Sequence, residues 1–373
     1  MRRAIVHIGM PRTGSTAFQE VLARLRPRLG SVGICYPILA PPGSPGSGDV
    51  NHFRLGQALD RRRPPAERRD ALARLDAILA ATAADTVLLS YEDFAVQRSC
   101  WHVPDILRSL FARHGFALEV ALVVKPQGEQ LASAYALRTQ VVSEGRTFRG
   151  FVRSEGISGR YDYAARLEPW RRASAGRVVA VPYRARGSAA PLLRRLIDAL
   201  GLDARLEPLL TPADLTYRTN RSSGPVAVEA ARRLYRLGVH RQVTGHRRRL
   251  GHVLDEWAWA RDLDAERFRG DDPEGLARVA ARFAASNARL AASCWDRPWD
   301  SVVEPAPVAA ANELAAGPIA PETEAAVDAL VRAAMTQTAF RAPPAWRQRA
   351  GHVLEEAKER LGDVLGFPAW RVP

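Results

Sequence analysis

The stretch from Ala4 to Leu25 constrains this chain more than any other. Ala4-Ile-Val-His-Ile-Gly9 is an apolar run of strand length, and Gly9-Met-Pro-Arg-Thr-Gly-Ser-Thr16 follows it as a glycine-bounded turn. Phe18, Val21, Leu22 and Leu25 then recur at helical spacing, which opens a helix near Ser15. A buried strand that turns through glycines straight into a helix belongs inside a sheet covered by helices. The amide N–H groups of such a turn converge on the positive end of the helix, which is where anions bind.

The rest of the first 200 residues repeats the alternation. Thr86–Ser90, Leu118–Val124 and Val178–Val181 are expected as further strands, the second a continuous apolar run of the kind buried on both faces. Helices are expected around 66–83, with Leu72, Leu75, Ile78 and Leu79 on one face, over Val103–Arg113, from about Gln127, and through Leu192, Leu196 and Leu200. Strands separated by helices imply a parallel sheet covered on both faces. Residues 40–50 are a loop by composition, and beyond residue 224 the pattern is almost wholly helical. The fold class expected is therefore α/β: a P-loop-type parallel sheet flanked by helices, with a mostly helical C-terminal part. Along the chain, 1–303 reads as the α/β domain, the Ala- and Pro-rich 304–323 as a linker, and 324–373 as a helical extension.

Composition narrows the function classes. A net charge of +14 favours anionic partners, but only Lys125 and Lys358 among the 54 basic residues are lysines, so the basicity is partly a general arginine bias. Aromatics make up 7% and no nucleic-acid-binding motif is present, so no nucleic-acid partner is expected. Cys35, Cys100 and Cys294 are far apart and odd in number, which argues against a disulfide framework or a structural metal. No run of about 18 apolar residues exists, and Ala4–Met10 is too short for a signal peptide, so a cytoplasmic protein without a membrane span is expected.

The Gly9–Thr16 turn has the glycine spacing of a Walker A loop, yet Ser15 stands where the Walker lysine belongs. Its one cation, Arg12, lies inside the loop, which supports ATP or GTP hydrolysis poorly. An arginine there is suited to offsetting charge as a bond to a bridging oxygen breaks. The backbone of Pro11, Arg12, Thr13, Gly14, Ser15 and Thr16, with the Ser15 and Thr16 hydroxyls, can cradle a phosphate. His7-Ile-Gly-Met-Pro-Arg-Thr-Gly-Ser-Thr-Ala-Phe-Gln19 resembles the 5′-phosphosulfate loop of the sulfotransferases that use 3′-phosphoadenosine 5′-phosphosulfate (PAPS), especially the bacterial sulfotransferase-family proteins. Arg12 matches the Lys/Arg position of that family's loop.

A second motif, Val123-Val-Lys-Pro-Gln-Gly-Glu-Gln-Leu-Ala-Ser-Ala-Tyr135, puts Lys125 at a strand end and Ser133 eight residues on, in a helix. The family binds the 3′-phosphate of PAPS with an Arg and a Ser at this spacing, and Lys125 and Ser133 resemble that pair, with lysine in place of arginine. Weaker likenesses run through Tyr161-Asp-Tyr163, Leu167, Trp170, Arg177–Tyr183, Tyr217–Ser222 and Ser286–Leu290. The resemblance covers roughly residues 4–300 and implies a metal-independent transfer of a sulfuryl group from PAPS to a hydroxyl on a saccharide, glycolipid or small metabolite, with PAP as product. A base must take the acceptor's proton. Glu92, just past a strand's C-terminal end, and His52, after the glycine-rich loop, are the two candidates, and His7 reads as a core histidine. The arginines of Gly245–Gly251 read as a solvated helix end. A P-loop kinase or nucleotide hydrolase and a polyanion-binding protein are the competing readings.

Overall fold

The structure, a computed structural model, describes residues 2–40, 50–96, 101–217, 222–241, 244–270, 273–307 and 309–337. Most of the 40–50 loop, Cys100, residues 218–221 of the Tyr217–Ser222 stretch and the tail beyond Gln337 lie outside the described residues. The chain groups into two units, the first made of Met1–Pro126, Arg160–Thr219 and Phe283–Pro305, the second of Gln127–Gly159, Asn220–Arg282 and the residues from Ala306 on.

The first unit is built on a five-stranded sheet of β1 (Arg2–Gly9), β2 (Ile34–Cys35), β3 (Thr86–Ser90), β4 (Phe116–Val124) and β5 (Val178–Pro182). The strands lie in the order β2-β3-β1-β4-β5 and every pairing is parallel. This is the expected α/β fold. β1 from Ala4 on, all of β3 and the last five residues of β4 are buried, as Val, Leu and Ile runs must be when helices cover both faces. On one face Ile5, Leu88, Ala121 and Val123 pack against Phe18, Val21, Leu22 and Leu25 of helix α1 (Ser15–Leu29) and against Leu193, Leu196 and Ile197. β4 side chains alternate across the sheet, so Val120, Leu122 and Val124 face the other way. The Val103–Arg113 helix packs against β4 on that side and carries the Tyr163–Ala173 helix against itself.

Strand order decides where a ligand site forms. From β1 the chain runs to β2 at one edge of the sheet, and from β4 it runs to β5 at the other. The connections leaving β1 and β4 therefore diverge, which opens a crevice at the C-terminal ends of these two neighbours. The glycine loop leaves β1 there, and Lys125 follows β4 there.

The second unit is helical in its described residues. Val226, Ala230 and Leu234 of the Pro225–Arg236 helix, Leu250 and Leu254 of Thr244–Ala260, and Val327 and Leu330 of Pro321–Gln337 form one apolar core. Within it the Ala- and Pro-rich stretch is tied down by Asn312, whose side chain accepts from the Arg269 amide (2.7 Å) and donates to the Arg267 carbonyl (3.0 Å). Among the described residues no helix is long and apolar enough to cross a membrane.

β1 and β4 shift register between His7 and Gly9: His7 pairs with Ala121 and Gly9 with Leu122, leaving one extra residue on β1. Gly9 has φ +133°, and a Cβ there would stand 2.5 Å from the Glu92 carbonyl oxygen. Gly9→Ala should therefore destabilise the protein by roughly 1–3 kcal/mol, read as a lower urea midpoint at unchanged m-value. An unchanged midpoint would mean that the bulge tolerates a side chain.

Candidate functional site

The glycine loop is held by a bond to β4 and by bonds within itself. The Met10 amide donates to the Val123 carbonyl of β4 (3.0 Å), which fixes the loop's first turn to the neighbouring strand. The Met10 carbonyl accepts from the Thr13 hydroxyl (2.5 Å) and the Ser15 hydroxyl (3.3 Å), which closes the loop on itself. Arg12 (φ 65°) and Gly14 (φ 85°) are both left-handed, a conformation that Gly14 adopts freely and Arg12 holds at a cost. Left-handed residues on either side of Thr13 turn successive amides inward as an anion-binding nest. Gly14 is the N-cap of α1 and offers no side-chain cap, and no acidic residue lies in the first turn. Among the described residues the amides of Thr13, Gly14 and Ser15 donate to no protein group. The loop's donor set and the positive end of α1 fit a phosphate-type anion.

Two cationic residues border the loop. Arg12 lies within it, partly buried. Lys125, 4% exposed, donates from Nζ to the Arg12 carbonyl (3.0 Å) and stands 5.4 Å from the centre of the Tyr183 ring. Its own carbonyl accepts from the hydroxyl of buried Tyr163 (2.8 Å), and the Tyr183 amide donates to the Val124 carbonyl (2.6 Å). The ammonium thus comes from a braced strand end. Ser133 belongs to the second unit, on the Gln127–Gln140 helix.

Glu92 opens a short 3-10 turn (Glu92–Ala95) directly after β3 and is half-buried. Its carboxylate accepts from Gln19 Nε2 (2.9 Å). Gln19 lies one helical turn beyond Ser15 on α1, so this contact ties Glu92 to the rim of the loop. The same Nε2 donates to Ser90 Oγ (2.9 Å), while Gln19 Oε1 accepts from Asn51 Nδ2 (3.2 Å), which fixes the orientation of the amide. Ser90 Oγ in turn stands 2.8 Å from His7 Nδ1. Gln19, Asn51 and Ser90 are not among the site residues expected from the sequence. The only signal in the sequence was the four-residue spacing from Ser15 to Gln19, which puts both on one helix face.

His52 differs from the expectation of a base. It is 2% exposed, and its Nδ1 accepts from the Ser90 amide (2.9 Å). The ring proton therefore sits on Nε2, which donates to the Pro37 carbonyl (3.1 Å). Tyr36 closes edge-on at 4.8 Å. With both nitrogens engaged to backbone, His52 pins the Pro37 segment to the end of β3 and has no nitrogen for an acceptor hydroxyl. His7 is a core histidine, as expected: fully buried, edge-on to Phe18 and bonded through Nδ1 to Ser90. In the second unit Arg248 and Arg249 are exposed, as a solvated helix face requires.

Comparisons with protein-family models, curated proteins and solved structures return no match for this chain, so the reading of the site rests on its own geometry. That geometry fixes a pH dependence. Burial lowers the pKa of both His7 and His52 from 6.5 to about 4. Between those values the unfolded chain binds protons that the native rings refuse, so the contribution of these two rings to stability is full above pH 6.5 and falls as the pH drops toward 4. Each ring contributes up to about 3 kcal/mol to that loss. Urea unfolding from pH 7 down to pH 4 should show a shallower fall for His52→Gln than for the parent, and parallel curves would mean that His52 titrates freely.

Proposed function

We propose that the first unit binds PAPS at the Gly9–Thr16 loop and transfers its sulfuryl group to an acceptor hydroxyl, with Arg12 and Glu92 in the reacting roles. The observation that carries this reading is the pairing at one crevice of a nest-and-helix anion site holding an internal arginine with a carboxylate fastened to its rim. A hydrolase loop would present its lysine immediately after the second glycine, and Ser15 stands there instead.

The donor supplies a sulfur–oxygen bond whose breaking leaves negative charge on the 5′-phosphate oxygen. The amides of Thr13, Gly14 and Ser15 hold that phosphate, and the α1 dipole favours its growing charge. Arg12 neutralises charge at the bridging oxygen. Glu92 takes the acceptor's proton as the hydroxyl oxygen bonds to sulfur, and Gln19 keeps the carboxylate directed during the transfer. The products are the sulfate ester, PAP and one proton on Glu92, which returns to solvent. Ser133 is carried over from the family pattern as a ligand of the 3′-phosphate. The acceptor is a saccharide, a glycolipid or a small metabolite, and the setting is the cytoplasm.

A second reading has one observation in its favour. The Lys125 contact with the Arg12 carbonyl gives the loop an ammonium after all, which suits a phosphoryl-transferring P-loop enzyme.

Calorimetric titration without magnesium separates the two. PAP should bind more tightly than 5′-AMP or ATP, whereas ATP binding that needs magnesium, with no preference for PAP, would favour phosphoryl transfer. For turnover, Arg12→Ala should lower kcat by about 100-fold while changing PAP affinity much less. Glu92→Gln should lower kcat by roughly 100-fold or more with KM for PAPS little changed. Full turnover by the Glu92 variant would remove it from the base role.

A further inference from the structure

We propose that Lys125 is this loop's lysine, delivered from the neighbouring strand. It clamps the loop through the Arg12 carbonyl and places its ammonium on the phosphate that the loop holds, the 5′-phosphate in the case of a nucleotide. This role departs from the one that the spacing to Ser133 implies, which would give Lys125 to the 3′-phosphate. It rests on the anion-binding part of the proposed function and not on sulfuryl transfer.

Three observations carry the argument. The first is topological: β1 and β4 are neighbours with diverging connections, so the residue after β4 and the loop after β1 border one crevice. The second is contact: Lys125 Nζ lies 3.0 Å from a carbonyl of the loop itself, at the left-handed residue Arg12. An ammonium carries three donors on one tetrahedral centre that turn together about its last bond, so one held at the Arg12 carbonyl stands beside the loop amides that would hold an anion. The third is fixation. Lys125 is 96% buried, its carbonyl is held by Tyr163, and its head group is flanked by the Tyr183 ring, so the side chain is confined near the loop. A lysine inside a Walker loop does the same two things, bracing loop carbonyls and reaching the phosphates. Here the two tasks are met from a different strand, which accounts for a loop that has serine at the lysine position.

The test uses 5′-AMP, PAP and inorganic pyrophosphate as probes. Charge-assisted bonds of this kind correspond to roughly 10- to 100-fold in affinity. Lys125→Met should weaken 5′-AMP and PAP by the same factor in that range and weaken pyrophosphate as well, leaving the PAP-to-AMP ratio of the parent unchanged. A loss confined to PAP, with 5′-AMP binding intact, would return Lys125 to the 3′-phosphate and overturn the proposal. A parent protein with no preference for PAP, whose Lys125→Met variant still loses 5′-AMP and pyrophosphate, would leave the loop-lysine role standing and remove the PAPS reading. Because Lys125 is buried, its replacement also tests folding, and the parent protein supplies a second measurement that is independent of it. The chain has two lysines, so 13Cε-lysine labelling gives two signals, assigned with Lys358→Arg. The Lys125 signal should shift on adding 5′-AMP or pyrophosphate as it does with PAP. A shift with PAP alone overturns the proposal, as does no shift with any of the three.

Discussion

Two carbonyl contacts, one to β4 and one to the residue that follows it, hold the glycine loop, and the rest of the site depends on them. The Met10 amide donates to Val123, and Lys125 donates to Arg12. A loop carrying a left-handed arginine needs its surroundings to impose that shape, because the conformation costs about 1–3 kcal/mol. Here the imposition comes from a strand buried at its C-terminal end on both sides, paired with β1 and β5, so the anchors move only if the sheet moves. The extra residue on β1 serves the same end, since the pairing shift at Gly9 releases the chain from the ladder just where it turns toward the loop.

A polar chain extends the anchoring to β3. Gln19 on α1 reaches both Ser90 at the end of β3 and the Glu92 carboxylate, and Asn51 orients its amide. Buried polar groups are costly unless every member finds a partner, so a network spanning β1, α1 and β3 specifies one relative placement of these elements. His52 contributes from the other side by joining the Ser90 amide to the Pro37 carbonyl. The carboxylate and the loop are therefore linked through side chains from separate segments, and a small displacement of α1 would disturb both.

The elements legible in the sequence were those whose burial writes a pattern. β1, β3, β4 and β5 fall within two residues of their expected limits, because strands buried on both faces need unbroken apolar runs. Helix α1 starts at Ser15, where the glycine turn and the spacing of Phe18, Val21 and Leu22 put it. β2 was not legible: Ile34–Cys35 is two residues at a sheet edge, too short for any periodicity. Ala71 lines the buried face of the Pro65–Ala81 helix where Leu72 was expected, and Leu72 and Ile78 are half-buried, because residues at the margin of an apolar stripe face the core only as far as the partner surface extends. His52 shows the deeper limit. Its neighbours Asn51 and Phe53 read as loop, and nothing local records that the Ser90 amide and the Pro37 carbonyl close around its ring. The Gln19–Glu92 contact joins residues 73 positions apart and is equally silent in the sequence.

The surroundings of residue 125 suit a lysine, in a chain whose other basic residues are almost all arginine. The space there is bounded by the Arg12 carbonyl and the Tyr183 ring and is nearly closed to solvent. A guanidinium carries five donors in a rigid plane and needs acceptors around its whole edge, or some donors stay buried and unsatisfied. An ammonium is compact, rotates freely about its last bond, and can divide its three donors between a fixed carbonyl and an oxygen of an incoming anion. In the proposed site an arginine within the loop and a lysine bonded to its carbonyl thus suit different tasks: the planar group for an oxygen whose charge changes, and the point charge for a phosphate that stays where the loop holds it.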